Sequence, residues 1–373
     1  MSIAPFELFV ACAPGLEPLL AEELAGLGLA PQPSAGGVTV QASLVELYRV
    51  LLGAGLALKV LLRVGSFHAA HFAKLEHELQ QLDWGRVVGE GARIDVRATA
   101  SKSKLYHTGA IRERVVRVLA SKVGAVASDE GTEPALTVHA RIERDVCTLS
   151  IDLGGEILHK RGYRKETGKA PLREDVARAL LRLAKHHAGE ALVDPLCGAG
   201  TFPIEGALLA SRTPPNARRS FAVEQLPLHD AQLLAHERAR LLAQISPVHT
   251  PHRGSDRDRG VVAAAEHNAE RAGLAAQTSF RACALSAVEL PEGPCLIIAN
   301  PPYGVRIGDA NKLVDLYAAL GALRKRSADA RLALVTANPR LAAATGIDLE
   351  SALMTDLGGL KVCLYLERPT QRS

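Results

Sequence analysis

Two short stretches carry residues whose types and order suit chemistry. In Ala191-Leu192-Val193-Asp194-Pro195-Leu196-Cys197-Gly198-Ala199-Gly200-Thr201-Phe202, an apolar run ends in an acid, a turn with two glycines comes next, and an amphipathic run begins. Strand, loop and helix N-terminus in that order make the geometry that binds nucleotide-like ligands in α/β sheets. The glycines alone also suit a plain tight turn, and Asp194 alone suits a helix N-cap. No Gly-Lys-Ser/Thr comes after Gly200, so a phosphate loop is excluded. About a hundred residues on, Leu296-Ile297-Ile298-Ala299 runs into Asn300-Pro301-Pro302-Tyr303. Two adjacent prolines cannot continue a ladder, so they end the strand and stiffen the turn after it. The Asn300 amide and the Pro301 carbonyl are thereby left uncommitted at a strand's carboxyl end, where open α/β sheets place ligands. The plainer reading is a strand stop with an aromatic packed on it.

Taken together, the two stretches resemble the S-adenosylmethionine-dependent amino-methyltransferases, whose Asn-Pro-Pro-Tyr motif methylates exocyclic amines of bases. The resemblance implies S-adenosylmethionine as cofactor. Asp194, with Pro195 and the loop Cys197, Gly198, Gly200, Thr201 and Phe202, would position its amino-acid part, the Asp194 carboxylate meeting the ammonium. Asn300 and Pro301 would accept hydrogen bonds from the target amine, next to the cofactor, while Pro302 stiffens the turn and Tyr303 stacks on the base.

In such sheets an acid at the end of the second strand receives the ribose hydroxyls. Among Glu224, Asp230, Asp256 and Asp258, the order strand end, acid, helix selects Asp256, with Arg257 beside it. The family pattern Gly-Ser-Asp-x-Asp falls on the same positions. The strand before it, from His249 to Arg253, holds little to bury. Where relatives carry an acid for the adenine amine, this chain has Ala284, so either a backbone carbonyl receives that amine or the cofactor is held less tightly.

The elements that must position these groups are set by periodicity. From 175 to 373, strands and helices alternate as in a doubly wound parallel sheet, the Rossmann-like arrangement of class I methyltransferases. Asp175 to His187 reads as a helix, with His186 and His187 facing solvent. Residues 212–250 depart from a compact β-α-β unit, with a long helix over Pro227 to Gln244. Arg331–Thr336 and Lys361–Leu366 read as late strands, the second in an antiparallel hairpin position.

Residues 1–65 read as a small α+β unit, ferredoxin-like in pattern, with strands at Phe6–Val10 and Gly37–Gln41 and a helix capped by Ser43. Residues 66–157 form a second α+β block. Within it, Ser101 to Arg117 carries Lys102, Lys104, Arg112, Arg114 and Arg117 against one acid, Glu113, with Tyr106 and His107 interleaved. Hydroxyls and cations at a helix start suit phosphate contacts, and a solvated helix face suits the same residues. This block resembles a THUMP domain, a fold that presents RNA to appended modification enzymes.

Residues 158–174 form a basic linker in which Lys160, Arg161, Arg164, Lys165, Lys169 and Arg173 face Glu166 and Glu174. Lys-Arg-Gly-Tyr-Arg and then Ala-Pro-Leu-Arg-Glu are similar to the start of the catalytic domain in bacterial THUMP-containing RNA guanine-N2 methyltransferases, a group that includes chains labelled N6-adenine-specific DNA methylases. There the Ala-Pro-Leu turn, here Pro171 and Leu172, lies beside the cofactor's methionine end. The expected RNA contacts are therefore Lys102, Lys104, Arg112, Lys160, Arg161 and Arg164.

The rest of the sequence bounds these readings. Of 373 residues, 47% are hydrophobic and 23% charged, the balance of a soluble globular chain of two or three domains. A net charge of +4 makes any basic surface local. The six cysteines form no Cys-x-x-Cys pair, so neither a zinc site nor a disulfide framework is expected. No leader or membrane span is expected, which points to a cytoplasmic protein, and a monomer is favoured. The expected activity is methyl transfer to N2 of a guanosine in rRNA or tRNA. The alternatives are a DNA adenine-N6 or cytosine-N4 amino-methyltransferase, and a non-catalytic RNA-binding factor on a methyltransferase scaffold.

Overall fold

The computed structural model describes residues 5–128, 136–165, 172–303 and 310–369. Two sheets organise them. The first is built from β1 (Phe6–Ala11), β2 (Gln32–Ser34), β3 (Gly37–Ala42), β4 (Lys59–His68), β5 (Arg93–Ser101), β6 (Val126–Ala127), β7 (Leu136–Glu143) and β8 (Val146–Asp152). Their order is β2-β3-β1-β4-β8-β7-β5-β6. Helices α1 (Glu17–Gly26), α2 (Leu44–Gly53), α3 (Phe72–Gln81) and α4 (Thr108–Val123) accompany them. Ser43 caps α2 in a full capping box with Glu46, which fixes the turn from β3 into that helix.

The N-terminal α+β unit and the RNA-binding-type block share β4. That strand pairs antiparallel with β1 through Lys59–Leu62 and with β8 through Leu61–His68. The boundary expected at residue 65 thus falls inside one continuous strand.

The second sheet is the parallel one. Its strands β9 (Ala191–Asp194), β10 (His252–Asp256), β11 (Thr278–Ala282), β12 (Cys295–Ala299) and β13 (Ala330–Thr336) run parallel, while β15 (Leu360–Glu367) is antiparallel to both β13 and β14 (Leu349–Leu357). The order β11-β10-β9-β12-β13-β15-β14 reverses between β9 and β12. That reversal opens a crevice beyond their carboxyl ends, the place where such sheets hold ligands. β12 is buried along its whole length, as a central parallel strand must be. Helices α5 (Glu174–Leu183), α6 (Thr201–Ala210), α7 (Ala231–Leu242), α8 (Arg259–Ala272), α9 (Ala310–Arg324) and α10 (Pro339–Ala344) complete this half.

The two halves share a single core: one cluster of buried apolar side chains runs from Phe6 to Leu364. Polar contacts fix the docking. Arg178 on α5 donates to Glu23 on α1 at 2.9 Å, and the same carboxylate accepts from the Leu56 amide at 2.8 Å. Residues 212–250, which break the compact β-α-β pattern, supply much of this interface. Asn216 donates to Leu51 O, Asp230 N donates to the Tyr48 hydroxyl, and Glu237 on α7 pairs with Arg49 at 2.8 Å.

Two sequence expectations are corrected here. α5 stops at Leu183, and His186 is buried rather than solvent-facing. Its Nδ1 lies 3.1 Å from Glu190 and its Nε2 lies 3.0 Å from Nε2 of His252. His252 opens β10 and is fully buried, so the strand that looked too polar to bury is buried through a histidine pair. Burial, then the neighbouring His186, pulls the His252 pKa down to about 4.

The base of the catalytic loop rests on one aromatic ring. A side chain at Gly254 would place Cβ 2.6 Å from Phe280 and 3.0 Å from Cys197, and one at Gly200 would meet Phe280 at 3.0 Å. Gly254→Ala is therefore expected to destabilise the protein by roughly 1–3 kcal/mol through overpacking, read as a lowered Tm in a thermal melt.

Candidate active site

Three neighbouring strands end together at the crevice. Gly254 of β10 is in register with Asp194, and Ile297 of β12 with Val193 of β9. Asp256, Asp194 and Asn300 therefore stand at the carboxyl ends of adjacent strands, which run about 4.8 Å apart in a sheet.

Asp194 is 2% exposed. Its Oδ1 accepts from the Leu196 amide at 3.1 Å, and no cation pairs with it among the described residues. Burial pushes its pKa well above the usual carboxylate range; the Leu196 hydrogen bond works against that and the charge of Asp256 adds to it. A buried carboxylate in this condition is complementary to an ammonium group. The capping reading does not hold, because the residue that caps α6 is Gly200, with no side-chain cap.

The loop after Asp194 is held from three sides. Cys197 N donates to Ser255 O at 2.9 Å, Gly198 N donates to Asp256 Oδ2 at 3.2 Å, and Asn268 on α8 donates to Ala199 O at 3.0 Å. Gly198 and Gly200 adopt φ of +50° and +84°, which favours glycine. A Cβ at Gly198 would meet nothing within 4 Å, so that side of the loop faces open space. Pro195 and the Cys197 thiol are buried beneath it, the thiol pKa raised well above its ordinary value first by burial. The side chain of Phe202 lies in the core, so only its backbone can face a ligand.

Asp256 sits where a ribose-binding acid belongs. Besides Gly198, it accepts from the Asp258 amide at 3.1 Å through Oδ1. Each oxygen keeps a lone pair for a hydroxyl donor. Asp258 caps α8, accepting from Gly260 and Val261 amides, which explains the second acid of the pattern. Arg257 is exposed beside it, and Ala284 is exposed just beyond the end of β11. Pro171 and residues 304–309 lie outside the described residues.

Asn300 completes the group. Its Oδ1 is buried and has no hydrogen-bond partner among the described residues. An orphaned buried acceptor is rare and costs about 1–3 kcal/mol in a folded protein, so its presence at the mouth of the crevice points to a donor that arrives with a ligand. Pro301 is buried, Pro302 exposed, and Tyr303 half-buried against the core beside β12.

The linker does not behave as the sequence suggested. Arg161 is buried, 3.5 Å from Glu205, and donates to Leu158 O and Gly55 O. Arg164 donates to Glu174 at 3.0 Å and to Leu172 O at 2.5 Å, with Thr201 Oγ1 at 3.5 Å. Both are committed inside the protein and neither is a surface for RNA. Arg164 instead ties Leu172 to the first residue of α6, which fixes two walls of the candidate cofactor pocket. Reading the sequence for charge missed Arg164 and Asn268 as positioning groups, since nothing local marks them. Lys160 stays exposed, paired with Glu156 at 2.9 Å. Lys102, Lys104 and Arg112 are exposed, as is Tyr106 at 66%. The helix face also holds a structural pair: Arg114 binds Glu76 at 3.0 Å and lies over the Phe72 ring.

Among the described residues, no group of histidine, cysteine or acidic side chains is placed to hold a metal, and no helix is long and apolar enough to cross a membrane.

Comparison with known proteins identifies the domains. The family model UPF0020, described as RMKL-like, methyltransferase domain, matches residues 161–348. A model of the RlmL ferredoxin-like domain matches residues 7–61, and a THUMP domain model matches residues 69–152. The ribosomal RNA large subunit methyltransferase K/L of Legionella pneumophila (strain Lens) is 35% identical over 371 residues, covering 96% of this chain and 52% of that protein. The chain thus spans about half the length of the curated relatives it matches. Among solved structures, SMU.472, described as a methyltransferase and complexed with SAH, superposes with a TM-score of 0.89 at 27% identity over 100% of both chains. A protein from Listeria monocytogenes described as an N6-adenine-specific DNA methylase gives 0.88 at 29% identity, covering 98% of this chain and 96% of that one.

The unpaired state of Asp194 has a measurable consequence. A carboxyl whose folded pKa is raised contributes stability below its unfolded pKa and loses it as pH rises through the folded value. Asp194→Asn is expected to raise the Tm of the ligand-free protein, with the gain growing as pH climbs above about 4. An unchanged difference between variant and parent from pH 4 to 8 would contradict the carboxylate's assigned state.

Proposed function

The chain belongs to the RMKL-like methyltransferase-domain family, and from that premise we propose that it methylates the exocyclic N2 amine of a guanosine in ribosomal RNA, using S-adenosylmethionine. The observation that carries this reading is the buried, partnerless Oδ1 of Asn300 on the strand end beside Asp194. The residues suit the cofactor. Asp194 would meet its ammonium, the open side of Gly198 would admit its methionine chain, and Asp256 would take the ribose hydroxyls. SAH, the demethylated cofactor, is bound by the structural relative SMU.472.

S-adenosylmethionine supplies an electrophilic methyl group on a sulfonium. Asn300 Oδ1 and the Pro301 carbonyl accept the two hydrogens of the target amine and so aim the nitrogen lone pair at that methyl carbon. Bound there, the cofactor would supply the methyl group and keep the C–S electron pair, and the amine's proton would pass to water after transfer. No strong general base is needed, and most of the acceleration comes from holding two reactants in line. Tyr303 offers a face for a base turned out of its helix or already unpaired. The Pro301-Pro302 pair keeps the accepting groups from folding back onto the sheet.

The RNA assignment rests on the THUMP block and its exposed Lys102, Lys104, Tyr106 and Arg112. The large-subunit rRNA substrate is taken from the name carried by the curated relatives, and a cytoplasmic setting is the reading we attach to such a substrate. The exposed position of Ala284 leaves room for the adenine amine to be met by backbone or water rather than an acid.

Labelled methyl groups are expected to enter deproteinised large-subunit rRNA, and not tRNA or genomic DNA, with N2-methylguanosine as the product by mass spectrometry; labelling of DNA alone would overturn the proposal. Asn300→Ala is expected to slow transfer by about a thousandfold or more, with cofactor affinity held within about threefold, because the lost contact is made in the transition state. Lys104→Ala with Arg112→Ala is expected to weaken rRNA binding and reduce the slope of log K against log salt by about 0.7–0.9 per lost phosphate contact, leaving cofactor binding alone.

A further inference from the structure

A cavity of about 850 Å³ lies away from the strand ends, at the junction between the first sheet and the catalytic half. Its walls come from the turn after β8, the segment from Ser211 to Ala222, the end of α7 and the C-terminal end of α8. It is thus at the opposite end of α6 and α8 from the two loops that hold Asp194 and Asp258.

The charged side chains of the lining are cations with one exception. Glu156 is the one acid among the lining residues, and it is paired with Lys160. Arg219 donates to the carbonyls of Glu156, Ile157 and Lys160, and Arg218 donates to the carbonyl of Arg271. Carbonyls satisfy N–H groups without cancelling charge, so both guanidinium groups keep a full positive charge with no carboxylate partner among the described residues. Arg218 is seated there by a glycine. Gly273, at φ +74°, leaves the room in which the Arg218 guanidinium crosses the helix end: a Cβ there would come 2.0 Å from Nη2.

Part of the remaining wall is apolar. Leu242 and Ile245 are 40% and 42% exposed, and both line this cavity. Positive charge without acids on one side and an uncovered apolar surface on the other suit a ligand with an anionic group and a flat, weakly polar ring.

We propose that this cavity is a second nucleotide-binding site, taking a phosphate between Arg218 and Arg219 and the attached nucleoside against Leu242 and Ile245. The nucleotide belongs to the substrate RNA, at a point remote from the base being methylated; a free mononucleotide has the same chemistry and is the other source. The RNA source rests on the function proposed above.

The test uses the full chain and two variants on exposed side chains, Arg218→Ser and Leu242→Glu, with Arg219 left intact because it clamps the junction. Binding of deproteinised large-subunit rRNA and of guanosine 5′-monophosphate is titrated against salt, with thermal melts and cofactor binding as controls. Both variants are expected to bind rRNA about fivefold to tenfold more weakly, with the salt slope of Arg218→Ser reduced by about 0.7, and with Tm and cofactor affinity unchanged. Loss of guanosine monophosphate binding in both variants, with rRNA binding intact, would support the same site with the free nucleotide as its source. If both variants match the parent for both ligands, the second site is overturned while the catalytic reading stands. If the parent itself neither binds nor methylates rRNA, the proposed function fails instead, and saturable guanosine monophosphate binding lost in both variants would still support the cavity.

Discussion

A carboxylate without a cation and an amide oxygen without a donor, buried on neighbouring strand ends, define this molecule. Each opposes folding: desolvation disfavours the charge of Asp194, and the orphaned Oδ1 of Asn300 forgoes its hydrogen bond. Such groups persist only where the surrounding structure is stable without them. Here the stability comes from below. β9 and β12 are buried along their whole lengths, and the pairing of Val193 with Ile297 leaves the two strand ends no freedom to separate and hydrate. The site is preorganised because the sheet beneath it over-determines its position.

The same logic explains the first half of the chain. An N-terminal module joined by a flexible tether would present RNA at no fixed distance from the crevice. Instead β4 carries two units in one strand, α7 and Asn216 grip α2 and the turn after it, and a single apolar cluster crosses the junction. The buried pair Arg178–Glu23, with the Leu56 amide on the same carboxylate, is costly to break, since removing one partner strands the other away from water. The Lys102–Arg112 arm is therefore at a set distance from Asn300, and substrate length becomes something the fold can select.

What was legible in the sequence was what backbone chemistry dictates locally. Asn300-Pro301-Pro302 and the Asp194 loop could be read because prolines and positive-φ glycines permit few conformations, and Ser43 because an N-cap acts within its own first turn. The doubly wound order could be read from alternation. The misreadings share one cause: a charged or polar residue was taken to face water when its partner lay far away in the chain. Arg161 finds Glu205, Arg164 finds Leu172 O and Thr201, and His186 finds His252, 66 residues on. No local pattern distinguishes such residues from a solvated face, and the strand at His252 looked too polar to bury for that reason. Residues 212–250 looked like an insertion because their partners are in the first sixty residues.

The committed linker changes where RNA can be held. Arg161 and Arg164 are turned inward onto Glu205 of α6 and Glu174 of α5, which leaves Lys160 and Lys165 as the exposed cations between 158 and 165. Cations facing solvent are spread over both halves, among them Lys102, Lys104 and Arg112 on the arm, Arg218 at the junction and Arg257 beside the crevice, on a chain whose net charge is only +4. Screening limits the reach of each to roughly 10 Å at ordinary ionic strength. The crevice at the sheet's reversal, itself lined by Asp194 and Asp256, offers a polyanion no electrostatic attraction. On the proposed function, affinity and chemistry would be separated in this architecture: phosphates would be held at a distance, and the base alone would be admitted to the acidic, desolvated crevice for methyl transfer.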